Sequence, residues 1–537
     1  MSVSFGDVFD RVARAAGDDA PAIVCDDAVL TWGEFDRRSN ALARRLLAAG
    51  LTVNSKVAHY LRNGPEYLIA FAACAKARAS HVNVNYRYGV DELAYLLDNS
   101  DAEAVIYEAH FAPLVAALRP RLPNVRLWLV ARGADGDAET FEAACAGDGA
   151  PLANARSSDD EFLLYTGGTT GLPKGVMWPF GAFWGALGPT RAPMLGLPVP
   201  ETLDALEAQI LSGAGRAPVY VAPPLMHGTG LFSAVNALTK AAPVVVSANP
   251  SFDPAAALDA VTRWRCGGFI IVGDAFARPL VDALRADPGR YETAQMQFML
   301  SSGMMWSPEV KSGLLEFMPN AMLLDSFGAS EGTGLGLSVA TKDLPPREAR
   351  FDAPQTKIVR AEDFSLIPPG SDEIGLVAKT GFLPKGYYKD PEKTARTYVM
   401  IEGERYVVTG DHARIEADGA IKLLGRGSHC INSGGEKIYP EEVEEALKTH
   451  PAVHDALVFG APDPRFGQRV IAVVGFVDGA RADTADLIAH VREKLAPYKA
   501  PREIVTAAAA PRAPNGKADY AAAKALYAAS IQGAGTV

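Results

Sequence analysis

An apolar run, Phe162-Leu-Leu-Tyr165, breaks directly into Thr166-Gly-Gly-Thr-Thr-Gly-Leu-Pro-Lys174-Gly175, and this junction constrains the fold more than any other stretch. The run reads as a buried strand, and the loop after it holds four glycines, three hydroxyls and one lysine. Glycines let backbone N–H groups close on phosphate oxygens, hydroxyls add donors, and the lysine adds a point charge. The loop is not a Walker A sequence, because Pro173 precedes Lys174 and Gly175 follows it where Ser or Thr is required.

Around this junction, apolar strands alternate with amphipathic helices. Thr31-Trp-Gly-Glu34 opens a helical stretch with Phe35, Leu42, Leu46 and Leu47 near one face. Val57–Leu61, Glu103–Tyr107, Pro218–Ala222, Val244–Ser247 and Phe269–Val272 read as strands. The expected fold is α/β, with a large N-terminal domain of mixed and parallel sheets sandwiched by helices, over residues 1–426. Residues 187–216, rich in Pro and Gly around a helical piece at 201–211, read as a surface excursion or lid. Beyond about residue 427 the pattern changes to a small α+β domain, 427–537, on a hinge. Its first helix starts at Tyr439-Pro-Glu-Glu, with proline in the first turn and carboxylates at the positive dipole end. Strands at 456–459 and 470–477 and a helix at 484–495 follow, and the chain reads as frayed from Ile531 onward.

At 537 residues the chain is too long for one hydrophobic core. A net charge of −11, spread along the chain, disfavours nucleic acid and anionic membrane as general partners. The five cysteines (Cys25, Cys74, Cys145, Cys266, Cys430) are far apart, with no metal-type spacing. They read as reduced buried thiols, and a cytoplasmic location follows. No signal peptide and no apolar run of membrane-spanning length is evident, so integral membrane association is not expected.

From Tyr165–Gly175 the chain resembles the adenylate-forming superfamily: acyl- and aryl-CoA synthetases, peptide-synthetase adenylation domains and beetle luciferases. The other motifs follow in that family's order. The resemblance implies that Thr166, Gly167, Gly168, Thr169, Thr170 and Lys174 hold the phosphates of ATP, although the family often has Ser where Gly167 stands. Pro223-Pro-Leu-Met-His227 resembles the segment whose histidine lines the acyl channel. Ser301-Ser-Gly303-Met304 resembles the stretch that packs on adenine. Ser326-Phe327-Gly328-Ala-Ser330-Glu331 resembles the YGxTE motif, with Phe for Tyr and Ser for Thr. An aromatic face there can stack on a base, but Phe327 lacks the tyrosine's hydroxyl. Glu331 is the implied Mg²⁺ ligand, a hard carboxylate for a hard cation. Thr409-Gly-Asp411 resembles the motif whose carboxylate accepts from both ribose hydroxyls, and Arg426 matches an arginine that contacts ribose or phosphate. Gly434, Gly435 and Lys437 lie in a loop resembling the wall of the pantetheine tunnel. Lys517, in Pro514-Asn-Gly-Lys517, matches the adenylation lysine. The implied catalytic set is Lys517, Glu331, Thr169 and His227.

The resemblance implies ATP, Mg²⁺ and CoA as cofactors and substrates, and a two-step reaction in which a carboxylic acid becomes an acyl-adenylate and then a thioester. The strings 166–178, 272–279 and 425–437 look closest to actinobacterial-type fatty-acyl and steroid side-chain CoA ligases, which implies a hydrophobic acid. An acyl-AMP ligase loading an acyl carrier protein would share every adenylation residue. A non-enzymatic binding protein would be expected to lose Lys174, Glu331, Asp411, Arg426 or Lys517, and all five are present. A luciferase-type oxygenase is a further reading, and a homodimer is compatible with all of them.

Overall fold

Helix Trp32–Ala48 begins with a reciprocal cap: Thr31 Oγ1 accepts from Glu34 N at 3.3 Å, and Glu34 Oε2 accepts from Thr31 N at 3.0 Å. Helix Pro65–Ala77 starts with proline at its first turn and is apolar nearly all round. Such a helix has no face for solvent. It is buried from Tyr67 to Ala77, against strands of both large sheets. Its one fully buried charge, on Lys76, has Nζ 2.6 Å from Asp36 Oδ1 and 2.8 Å from Asn40 Oδ1. A buried ammonium is tolerable only when paired in this way.

The computed structural model describes residues 3–166, 172–187, 200–303, 306, 308–346, 350–426, 431–438, 440–511 and 519–534. Two compact units divide the chain. One comprises Met1–Tyr86, Leu97–Tyr165 and Gly175–Gly425; the other comprises Arg87–Leu96, Thr166–Lys174 and Arg426–Val537.

Among the described residues, the larger unit holds two eight-stranded sheets and one of six strands. The first has a parallel centre (Pro21–Cys25, Val244–Val246, Val219–Val221, Gly268–Ile271, Phe298–Ser302 and Met322–Ala329) flanked by antiparallel edges at Ala28–Thr31 and Gly332–Ala340. The second is parallel from Glu161–Thr166 through Ser80–Asn83, Lys56–Tyr60, Ala102–Glu108 and Leu127–Ala131. Strands buried on both faces read as continuous Val/Ile/Leu runs, as here. The third sheet is antiparallel where its pairs are described, around Glu404–Ile415. One core cluster joins the two large sheets through Phe5, Phe71, Phe162, Phe180 and Phe183.

The helix foreseen at 201–211 runs Leu203–Leu211, but it is not a free excursion. Leu206 and Ile210 are buried, and Arg11 on the first helix bonds Asp204 at 2.6 Å and Glu207 at 2.7 Å. The amphipathic pattern of its buried side was diluted by the surrounding Pro and Gly. Residues 188–199 lie outside the described residues.

Below the surface of the second large sheet, His59 and His81 meet on neighbouring parallel strands, Nδ1 to Nδ1 at 2.9 Å, with Cys74 Sγ 3.7 Å from His59 Nε2. Both rings are fully buried. Burial holds His59 down at about 3 and drives His81 well below the ordinary imidazole range. Cys25, Cys74, Cys145 and Cys266 are free thiols, and burial raises all four. Cys430 lies outside the described residues.

The smaller unit carries an antiparallel sheet with one parallel edge, Glu503–Ala507 on Gly467–Phe476. Helices Pro440–Lys448 and Thr484–Lys494 match the expected positions within a residue. Helix Tyr520–Ala534 runs through Ile531, where fraying was expected to begin, with Ala523 and Tyr527 buried against the sheet; residues 535–537 lie outside the described residues.

Candidate active site

Glu331 stands in a two-residue turn. Strands Met322–Ala329 and Gly332–Ala340 pair up to Ala329↔Gly332, leaving Ser330 and Glu331 at the tip. Three aromatic donors from elsewhere in the chain hold that tip. Tyr387 OH donates to Glu331 Oε1 at 2.7 Å, Tyr398 OH donates to the Glu331 carbonyl at 3.1 Å, and Trp178 Nε1 donates to the Ser330 carbonyl at 2.9 Å. Burial, reinforced by the Glu331 charge, pushes the Tyr387 hydroxyl far above its usual range, so it remains a donor. Tyr387 is itself placed by Gly386 and by Thr394, whose Oγ1 accepts from Tyr387 N at 2.9 Å. A Cβ on Gly386 would come within 2.3 Å of Thr394 Cγ2.

The turn abuts the third sheet, since a Cβ on Gly332 would lie 2.8 Å from Val407 Cγ1. There the strand Glu404–Ile415 bulges: Leu376↔His412 and Ala378↔Val408 bracket Thr409, Gly410 and Asp411. Gly410 takes φ +78°, which a glycine reaches without strain. Asp411 is buried at the bulge. Thr333 Oγ1 and Thr409 Oγ1 are buried with no hydrogen-bond partner among the described residues. Buried hydroxyls are ordinarily satisfied, so these two are suited to a polyhydroxylated ligand.

Other candidate residues sit at carboxyl ends of the first sheet's strands, where open α/β sheets bind ligands. Gly303 follows Phe298–Ser302, and a Cβ there would meet only ordinary van der Waals neighbours, Val272 Cγ1 at 3.8 Å and Thr229 Oγ1 at 3.9 Å. His227, half-buried, is the N-cap of helix Gly228–Leu238, and its carbonyl accepts from Leu231 N at 2.9 Å. Asn63 and Asn83 pin the loop before it: Asn63 Oδ1 accepts from Leu225 N at 2.8 Å, and Asn83 Nδ2 donates to Met226 O at 2.7 Å. Phe327 is half-buried with its ring centroid 5.6 Å from Phe351, and Gly328 and Ser330 flank it toward the turn.

A divalent cation fits this arrangement in one way. Among the described residues no three His, Cys, Asp or Glu side chains form a metal cage. Glu331 offers a single oriented carboxylate, the form in which Mg²⁺ shared with substrate phosphates is held.

The family model of AMP-binding enzymes matches residues 9–383, and that of the AMP-binding enzyme C-terminal domain matches residues 442–517. This chain belongs to the AMP-binding enzyme family.

It is similar to a medium/long-chain-fatty-acid–CoA/3-oxocholest-4-en-26-oate–CoA ligase of Mycobacterium tuberculosis, 40% identical over 98% of this chain and 96% of that protein. A 3-oxocholest-4-en-26-oate–CoA ligase of Rhodococcus rhodochrous is 40% identical over 94% of this chain and 92% of its own length. Among solved structures, the amide bond synthetase McbA of Marinactinospora thermotolerans shares the fold with a TM-score of 0.82 at 24% identity, covering 97% of this chain and 99% of that one.

In this AMP-binding enzyme the larger unit brings Glu331, Ser330 and Gly328 together on one hairpin, beside the strand that carries Asp411. Thr166 ends its strand and Lys174 begins the next, Lys174–Pro179; both belong to the smaller unit by contacts. So do Gly434, Gly435 and Lys437: the two glycines, at φ +60° and +86°, form the turn of a tight hairpin in which Asn432 pairs with Lys437. Gly167, Gly168, Thr169, Thr170, Met304 and Lys517 lie outside the described residues, as does the side chain of Arg426, whose backbone closes strand Ile421–Arg426. Sequence reading missed Trp178, Tyr387, Tyr398, Asn63 and Asn83. Gly386-Tyr387-Tyr388 before the Asp390-Pro391 helix start was a usable signal for Tyr387, as an aromatic pair between two backbone-fixing features.

Proposed function

We propose that this protein is an ATP-dependent acyl-CoA synthetase acting on a hydrophobic acid of medium or long chain, or of steroid type. The observation that carries the reading is the Glu331 tip, a carboxylate held by a tyrosine hydroxyl in a chain of this family. The carboxylate oxygen of the acid attacks the α-phosphorus of ATP, the bond to the bridging oxygen breaks, and pyrophosphate leaves. The thiol of CoA then attacks the carbonyl of the acyl-adenylate, loses its proton, and expels AMP. A carboxylate is a poor electrophile, and the mixed anhydride supplies the leaving group. The protein's task is to hold the atoms in line and to offset negative charge.

In this reading Lys174 and the segment 166–170 take the phosphates, Asp411 takes the ribose hydroxyls, and Arg426 assists at ribose or phosphate. Gly303, Met304, Phe327, Gly328 and Ser330 frame the base. Mg²⁺, when bound at Glu331, would neutralise phosphate charge. His227 borders the acid, Lys517 serves adenylation, and Gly434, Gly435 and Lys437 line the path of the pantetheine arm. The small domain, from about residue 427, is the mobile part. The acceptor is CoA rather than a carrier protein, and the location is cytoplasmic; no helix among the described residues is long and apolar enough to cross a membrane.

A thioesterification screen with ATP, Mg²⁺ and CoA across straight-chain, aryl and steroid acids tests this. AMP and acyl-CoA should accumulate with medium- or long-chain or steroid acids. Preference for short or aromatic acids, or for a phosphopantetheinylated carrier over CoA, would overturn it.

A further inference from the structure

A carboxamide can accept at one end and donate twice at the other. Asn83 does all three. Its Oδ1 accepts from Tyr165 N at 2.5 Å, and its Nδ2 donates to Tyr165 O at 3.0 Å and to Met226 O at 2.7 Å. The side chain is buried, at the carboxyl end of strand Ser80–Asn83, which pairs directly with Glu161–Thr166 in the same parallel sheet. It therefore continues the ladder for one more rung where the strands themselves have stopped pairing. The third bond crosses to the other large sheet, to the loop after Val219–Val221.

The two residues it grips have one thing in common. Tyr165 immediately precedes Thr166 and the glycine-rich segment; Met226 immediately precedes His227. Each is otherwise anchored: Tyr165 OH donates to Asn99 Oδ1 at 2.8 Å, and Met226 is buried with its Sδ accepting from Tyr86 N. Asn63 holds the far side of the His227 loop through Leu225 N and Pro223 O but does not reach Tyr165. Asn83 alone of the two asparagines spans both segments.

We infer that Asn83 is a positioning residue that couples Tyr165, which leads into the ATP-binding segment, to the acid-binding loop, so that binding at one strengthens binding at the other. The inference rests on the proposed roles of the segment after Tyr165 and of His227. Coupling of this kind is reciprocal, so it shows in either substrate's affinity.

The test compares wild type with Asn83→Ala, Asn83→Asp and Asn63→Ala. Acid-dependent pyrophosphate release is measured with the fatty acid that wild type turns over best, with KM for each substrate taken at low and saturating levels of the other. In wild type, saturating ATP should lower the KM for the acid, and the absence of that effect would overturn the coupling. Asn83→Ala should raise both KM values by about tenfold and abolish that dependence, as expected for lost buried hydrogen bonds. Asn83→Asp keeps the acceptor for Tyr165 N but loses both donor bonds, which leaves Tyr165 with one contact from this side chain and Met226 with none, so its KM for the acid should rise more than that for ATP. Asn63→Ala should raise the KM for the acid while leaving the dependence on ATP in place.

If Asn83→Ala does not fold, the asymmetry in Asn83→Asp decides alone. Equal changes in both KM values for Asn83→Asp, or a lowered Tm with unchanged KM values and intact coupling, would overturn the inference. A wild-type protein that releases no pyrophosphate with any acid would instead overturn the functional reading beneath it.

Discussion

Two turns in this molecule have the same length and opposite designs. Ser330-Glu331 joins two strands and carries a charged side chain, while Gly434-Gly435 joins two strands and carries no side chain. The glycine turn is specified by its own backbone. Both residues take positive φ, the geometry that suits a two-residue hairpin to the right-handed twist of its strands. Its brace from elsewhere is a backbone bond, Gly434 N to Phe466 O at 2.9 Å. The glutamate turn is specified from outside, by donors on three separate elements. A turn that only has to bend can be written locally. A turn that has to aim a carboxylate needs partners that fix its rotamer and its carbonyls.

The sharpest way to break this contrast is Glu331→Ala, which removes the group the clamp exists to aim. Acid-dependent pyrophosphate exchange should fall by more than about a hundredfold, on the scale of losing a main electrostatic stabiliser. Retention of exchange would mean the clamp serves stability alone. Tyr387→Phe keeps the ring and removes one bond to a charged acceptor, a change of about tenfold or somewhat more. It should appear as a higher Mg²⁺ concentration for half-maximal activity, and in ATP binding measured with and without Mg²⁺ by calorimetry. An unaltered metal requirement would detach Tyr387 from the role. Trp178→Phe removes one neutral bond to the Ser330 carbonyl, and about a fivefold loss in exchange is expected.

Gly434→Ala should disturb adenylation least of the four. Its new Cβ would stand 3.0 Å from Phe466 Cδ1 at a positive φ. Urea unfolding followed on the smaller unit should lose about 1–2 kcal/mol, the left-handed penalty for a residue with a side chain. No change in the unfolding midpoint would show that the turn's conformation is not the constraint its dihedrals imply.

The same contrast explains what could be read from the sequence. Gly434-Gly435, the Thr31/Glu34 cap and the strand-to-loop junction at Tyr165 are local, so neighbouring residues spell them out. Glu331 was legible because its own motif surrounds it. Its donors were not: Tyr387, Tyr398 and Trp178 are 56, 67 and 152 residues away along the chain, and each looks like one more core aromatic. Asn83 was hidden for a related reason. An asparagine ending a strand reads as a turn residue, and only the fold brings Met226, 143 residues on, against its amide. The helix Leu203–Leu211 was foreseen but its docking on the first helix was not, because that depends on Arg11, 193 residues from Asp204 along the chain.

The His59–His81 contact makes the chain respond to acid. With one ring donating and the other accepting across 2.9 Å, the pair is at its best when both imidazoles are neutral. An unfolded histidine takes up its proton near its ordinary value of about 6.5, whereas folded His59 resists until about 3. Below the first value the unfolded chain binds protons that the folded one refuses. The stabilisation is therefore complete above about pH 6.5 and drains away as pH falls toward about 3, at up to about 1.4 kcal/mol per pH unit for each such ring. A solution gently acidified would thus loosen the second large sheet from within, at a place no solvent-facing group could reveal.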